Sequence, residues 1–230
     1  MHPSRAATPS ARPRSVVMQF TVTKNKDFNA KKLPATLNTI PKLSSPSVTR
    51  RQVLWDVADA NDNPVELLLN GLTWMSDVTE KTVAGSTEDW VLINPTVDTH
   101  PIHLHLTQFQ LLSRQKMDSM QYAMDWANQN AALSMMGDGM PPWSFEPTPL
   151  DVANYLTPNT LTDPDSNEQG WKDTVRMNPG EVTRIRVRFA PIDGSGTYPF
   201  DPTVGPGYVR HCHIIDHEGD DMMRRSVVTH

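Results

Sequence analysis

Tyr208-Val-Arg-His-Cys-His-Ile-Ile-Asp-His-Glu-Gly-Asp-Asp-Met-Met223 holds the single cysteine of the chain, three of its eight histidines and two methionines. In an extended strand successive side chains point to opposite faces, so His211 and His213 share one face and Cys212 takes the other. One short strand can therefore feed two sites. The thiolate of Cys212, the imidazole of His217 and the thioether of Met222 match a trigonal blue-copper centre, which takes two His, one Cys and a long axial Met. Only a second histidine is missing.

It lies in Thr99-His100-Pro-Ile-His103-Leu-His105. His103 and His105 are two apart and share a strand face, whereas His100 precedes a proline that forces an extended or turned backbone. His100 can thus point elsewhere, towards Cys212. Of the eight histidines only His2 and His230 fall outside these two clusters.

His-Pro-Ile-His-Leu-His followed much later by His-Cys-His-x3-His-x4-Met resembles the carboxy-terminal cupredoxin domain of a multicopper oxidase, of the bacterial spore-coat laccase and phenoxazinone synthase type. Leu67-Leu-Leu-Asn-Gly71, Thr87-Glu-Asp-Trp-Val-Leu-Ile-Asn94, Gly170-Trp-Lys-Asp-Thr174 and Pro179-Gly-Glu-Val-Thr-Arg-Ile-Arg186 are also similar to that family. The likeness runs from about Val16 onwards. It implies a complete type 1 copper site of His100, Cys212, His217 and Met222, His103 on a type 2 copper, and His105, His211 and His213 on a type 3 pair. Together the last four make half of the trinuclear cluster at which O2 becomes water. The electrons would come from small aromatic reductants, phenols or aminophenols, near His217.

The other half of such a cluster comes from two further His-x-His motifs in an amino-terminal cupredoxin domain, and no such motif remains in this chain. Three arrangements are compatible: a carboxy-terminal fragment, a second chain that supplies the missing domains, or a homo-oligomer whose identical subunits pool their ligands. A fragment or truncated gene product is the expectation. A copper-binding electron-transfer module, unable to reduce O2 by itself, is the competing reading. A copper nitrite reductase is disfavoured, because its cysteine does not need histidines on both sides.

Two features carry alternatives. Glu218 matches an acidic position of some laccases, where it relays protons or orients substrate, but it is also what a solvated surface carboxylate looks like. Asp216, Asp220 and Asp221 add negative potential that favours cationic or amine-bearing substrates. Met117, Met120 and Met124, spaced i, i+3, i+7, would line one helix face. Thioethers suit Cu(I), so these three beside the blue copper would fit a cuprous oxidase. A helix using Met as apolar filler over the substrate cleft is the favoured reading.

A net charge of −5 gives no reason to expect nucleic acid as a partner. A single cysteine excludes an intramolecular disulfide, and its two histidine neighbours favour a ligand over an inert thiol. No run reaches the length of a membrane helix, and Met1 to Arg14 lacks the apolar core of a secretory signal, so neither membrane nor export address is expected and the compartment stays open.

Along the chain, residues 1 to 15 read as a disordered tail, Val16 to Val22 as an orphan strand that closes a preceding domain, and Lys24 to Arg51 as an inter-domain linker. From Gln52 to the end, short strands separated by turn residues predict an all-β fold, a Greek-key cupredoxin barrel or sandwich. The predicted strands are Val53 to Val57, Val65 to Leu69, Glu88 to Asn94, the histidine segment, Gln108 to Ser113, Lys172 to Met177, Val182 to Phe189, Tyr208 to Ile214 and Met222 to Val228. Arg114 to Gly170 is a long insertion, helical near its methionines and otherwise a proline-rich surface loop.

Overall fold

The structure, a computed structural model, describes residues 20–21, 32–35, 39–59, 61 and 64–230. It divides into two compact units, Met1–Thr39 and Ile40–His230. The tail expected at residues 1 to 15 lies outside the described residues, as does most of the orphan strand; of that strand Phe20 and Thr21 are described and are not in a strand. No helix among the described residues is long and apolar enough to cross a membrane.

The second unit is a two-layer sandwich. One sheet has six strands in the order β2 (Pro64–Leu69), β1 (Val48–Ala58), β4 (Thr87–Asn94), β9 (Glu181–Arg188), β6 (Phe109–Lys116) and β7 (Trp171–Lys172). The other has five, in the order β3 (Glu80–Val83), β11 (Met223–Thr229), β10 (Tyr208–Cys212), β5 (His100–Leu104) and β8 (Thr174–Met177). Strand pairs β1–β4 and β3–β11 are parallel, and the rest are antiparallel. In β9 the alternation holds as read: Ile185 and Val187 are buried while Arg184, Arg186 and Arg188 are half-buried. Arg186 sits opposite Asp89 of β4 and donates to both its oxygens, at 2.6 and 2.8 Å.

Four elements depart from the sequence reading. Strand β1 begins at Val48 rather than Val53, inside the stretch read as linker. Its polar first half is held by pairing with β4 and by Arg50, which grips Glu88 with two bonds of 2.6 and 3.0 Å. Strand β3 was not expected. The segment Lys172 to Met177 is broken at Asp173, so that β7 ends one sheet and β8 the other. Strand β10 stops at Cys212, and the one-turn helix α2 (Ile215–Gly219) follows.

The sandwich interior contains Leu54, Leu67, Leu69, Trp90, Leu92, Met177, Cys212 and Met222. Their chain neighbours Val53, Trp55, Leu68, Val91 and Ile93 point to the other face of the six-stranded sheet, where they build a second core with Tyr122, Trp126 and Trp143. The insertion is therefore a cover. The helix expected near its methionines is α1 (Ser119–Asn130), capped by Asp118, and the stretch after it is irregular as expected, but α1 buries Tyr122 and Trp126 and the irregular stretch buries Trp143 against the sheet. Trp126 packs against Trp55 and Trp143 with ring centroids 5.3 and 5.6 Å apart.

The methionine expectation fails here as well. Met117 is buried ahead of α1, whereas Met120 and Met124 are 74% and 48% exposed. Helix α1 packs on the sheet face opposite Cys212, so these methionines do not lie on the Cys212 side of the sandwich.

Candidate metal centre

Strand β10 lies between β5 and β11 and brings the two histidine motifs together. His211 is the register partner of His103, and Cys212 that of Ile102. Because side chains alternate, Cys212 and Arg210 join the buried interior while His211 turns towards His103 and His105. The amide of Cys212 donates to the carbonyl of Met222 at 2.9 Å, and the amide of Met222 donates to the carbonyl of His217 at the same distance. These two bonds fold α2 back over the cysteine. Met222 is fully buried in the same cluster as Cys212.

On the sulfur side, Sγ of Cys212 is 3.8 Å from Nδ1 of His100 and 3.6 Å from Nδ1 of His217, and the two nitrogens are 3.2 Å apart. The circumradius of that triangle is about 2.1 Å, the length of a bond from imidazole nitrogen to a first-row divalent ion. The donor set fits one metal ion. Burial, with the nearby His217 ring adding to it, pushes the His100 imidazole down to about 4, so its ring is neutral at pH 7 and free to bind a cation. Burial pushes the Cys212 thiol up to about 11, so a metal that binds there must displace its proton.

On the opposite side, Nε2 of His105 and Nε2 of His211 are 3.2 Å apart. The His103 ring lies 5.1, 5.4 and 5.6 Å from those of His105, His211 and His213. His103, His105 and His211 each offer a donor atom within 4.8 Å of the others. Burial lowers the pKa of both His103 and His105. Nδ1–H of His211 donates to the Cys212 carbonyl at 3.0 Å and to Oε1 of Glu218 at 2.9 Å, which leaves Nε2 turned towards the cluster. Oε1 of Glu218 is also 3.5 Å from Nδ1 of His213, which is 58% exposed. Glu218 is thus a partner of two of the predicted histidines.

Sequence reasoning passed over the residues that hold these rings. Nδ1 of His103 is 3.0 Å from the hydroxyl of Thr174, and Nε2 of His100 is 2.8 Å from that of Thr96. Thr96 lies four residues before His100, outside any ligand spacing, so only its polarity beside a buried strand end could have marked it.

A two-sheet sandwich with a Cys–His–His triangle at one end of its core defines a cupredoxin-type copper protein. The multicopper oxidase family model matches residues 33–230, and the chain belongs to that family. It is 37% identical over 218 residues to a laccase of Bacillus subtilis, covering 93% of this chain and 34% of that protein. It is 33% identical over 225 residues to multicopper oxidase LPR1 of Arabidopsis thaliana, covering 97% of this chain and 36% of that protein. In fold it is similar to a multicopper oxidase of Campylobacter jejuni, with a TM-score of 0.55, 18% identity and coverage of 88% of this chain and 34% of that one. The chain spans about a third of the length of these relatives.

Proposed function

We propose that the chain is the electron-entry domain of a laccase-like oxidase. His100, Cys212, His217 and Met222 would hold a type 1 copper, and His103, His105, His211 and His213 would supply half of a trinuclear site. Copper held at these positions would supply one-electron chemistry, with phenols or aminophenols as reductants and O2, reduced to water, as the acceptor. The observation that carries this reading is the single strand end on which Cys212 meets one histidine pair while its neighbour His211 meets the other.

The protein's own groups do the positioning. His217 is half-buried on a one-turn helix, so a reductant can approach its ring while the sulfur stays covered. Asp216 on that helix and Asp220 and Asp221 just after it favour amine-bearing reductants. From Cys212 the route to the second cluster is the backbone to His211 and His213, shortened by the His211 bond to the Cys212 carbonyl. Glu218 orients His211 through Nδ1 and is placed to carry a proton to the same cluster. His105 and His213 are exposed, and that open side is where a preceding cupredoxin domain, or a second copy of the chain, would add the remaining histidines.

A second reading rests on the same openness. With half its ligands, the chain on its own would be an electron-transfer module. Copper content, the blue absorption band and O2 uptake distinguish the two. About four coppers per active unit with turnover supports the oxidase; about one copper per chain, a blue band and no O2 uptake supports the module. Loss of the band in Cys212→Ser is expected in both cases, and a variant that stays blue overturns both.

A further inference from the structure

The imidazole of His100 reaches the sulfur through Nδ1, and its other nitrogen ends on Thr96. Oγ1 of Thr96 is 2.8 Å from Nε2 of His100 and 2.7 Å from Oδ1 of Asn94. Asn94 is fully buried, and its amide is fixed in one orientation: Nδ2 donates to the carbonyls of Asp98 and Met177 at 2.8 and 3.1 Å, while Oδ1 accepts the amide of Thr96 at 3.0 Å. An amide oxygen 2.7 Å away has no proton to give. The hydroxyl proton of Thr96 therefore goes to one of its two oxygen neighbours, the Asn94 amide oxygen or the Asp56 carboxyl, which also hydrogen-bonds to it. Towards His100 the hydroxyl presents only a lone pair.

We propose that Thr96, held by Asn94, is a positioning residue of the copper site: it accepts the Nε2–H proton of His100 and so fixes the tautomer whose Nδ1 lone pair faces Cys212. This rests on the copper assignment above. Without the acceptor the ring loses its hold at Nε2, and only the contacts of Nδ1 with Cys212 and His217 would oppose the tautomer that aims an N–H at the metal position. Asn94 does a second service, since its bond to Met177 ties β4 to the strand that pairs with His100 in register. The ring is thus oriented from both ends.

An outer partner of this kind raises the basicity of its histidine and is worth about 10- to 100-fold in metal affinity. More basic nitrogen favours Cu(II) over Cu(I). In Thr96→Val, of equal size but without the acceptor, Cu(II) affinity should fall by that factor and the reduction potential of the blue copper should rise by about 59 mV for each tenfold lost from Cu(II) alone. Thr96→Ser, which keeps the oxygen, should restore both. Nitrogen-15 NMR of the metal-free wild-type protein reads the tautomer directly and needs no variant: Nε2–H at His100 is expected. Nδ1–H there, or a folded Thr96→Val protein with wild-type affinity and potential, overturns the role of Thr96. A wild-type protein that takes up copper without a sulfur-to-copper band removes the copper assignment on which the role rests, whatever the tautomer.

Discussion

Loading the sulfur site with Cu(I) should depend on pH in a way that the burial of Cys212 determines. Its thiol is pushed up to about 11 by burial, an effect that the nearby carboxylates of Glu218 and Asp56 reinforce. At pH 8 only about one molecule in 1,000 carries a thiolate, so the metal must release that proton. Above pH 8 the His100 imidazole, pushed down by burial, is already neutral and contributes no further dependence. Apparent affinity should therefore climb about 90-fold from pH 8 to pH 10, with one proton released per metal. A thiol at the ordinary value of 9.0 would give only about tenfold over the same interval. Anaerobic competition against a Cu(I) chelator measures the affinity, and weakly buffered solution measures the proton. A rise of tenfold or less would refute the argument that burial holds this thiol protonated; Cys212→Ser, which has no proton to lose there, should flatten the profile.

Three further outcomes concern the scaffold. Glu80 and Arg210 form a buried ion pair at 2.5 Å, each about 3% exposed or less, so Glu80→Ala leaves a buried guanidinium without its counter-charge and should cost about 3–5 kcal/mol in urea unfolding. Replacing both with apolar residues of similar volume should recover most of that, and a single variant within 1 kcal/mol of wild type, on the order of experimental error, would show the pair to be dispensable. At Gly71, where φ is +62°, an added Cβ would meet Nε1 of Trp143 at 2.5 Å. Gly71→Ala should therefore destabilise by about 2–4 kcal/mol and shift the tryptophan emission as the insertion lifts. Burial, with Asp98 adding to it, holds the Asp56 carboxyl up at about 6, and one of its oxygens is buried without a hydrogen bond. A carboxyl whose folded pKa is raised binds its proton more tightly when folded, so its contribution to stability falls as pH rises from about 4 through about 6. Asp56→Asn should be the more stable protein above pH 6, by at most about 3 kcal/mol before solvent screening reduces it, and a difference that does not vary with pH would be the contrary result.

The ligand strands were legible because a period of two decides where every side chain of a short segment goes. Once His211 and Cys212 are adjacent on a strand they must part, and His100, three residues before His103 on the continuous strand β5, falls on the opposite face by the same alternation. Helix α2 was not legible, because five residues are too few to show a helical period, and β3 presents Glu80 and Lys81 where apolar alternation would be sought. The covering role of the insertion is hidden for a different reason: its prolines and methionines do not show what they pack against. The clue lay elsewhere, in Leu67-Leu-Leu69 and Trp90-Val-Leu-Ile93, unbroken apolar runs that mark strands covered on both faces. Thr96 was invisible, since what it does depends on a fully buried amide two residues earlier and on the orientation that the fold imposes on it.

The parallel pairing of β3 with β11 brings Thr82 to the carbonyl of Val227, 145 positions away along the chain, and the sulfur triangle closes over an interval of 117. Contacts of such range must wait for loop closure, which makes folding of this sheet slow and leaves its edges open to wrong partners meanwhile. A polypeptide emerging from the ribosome can pair β2, β1 and β4 early, but β6 joins them only through β9, and β10 and β11 come last of all. Neither histidine group can gather until those strands insert, so metal incorporation belongs among the final events of maturation.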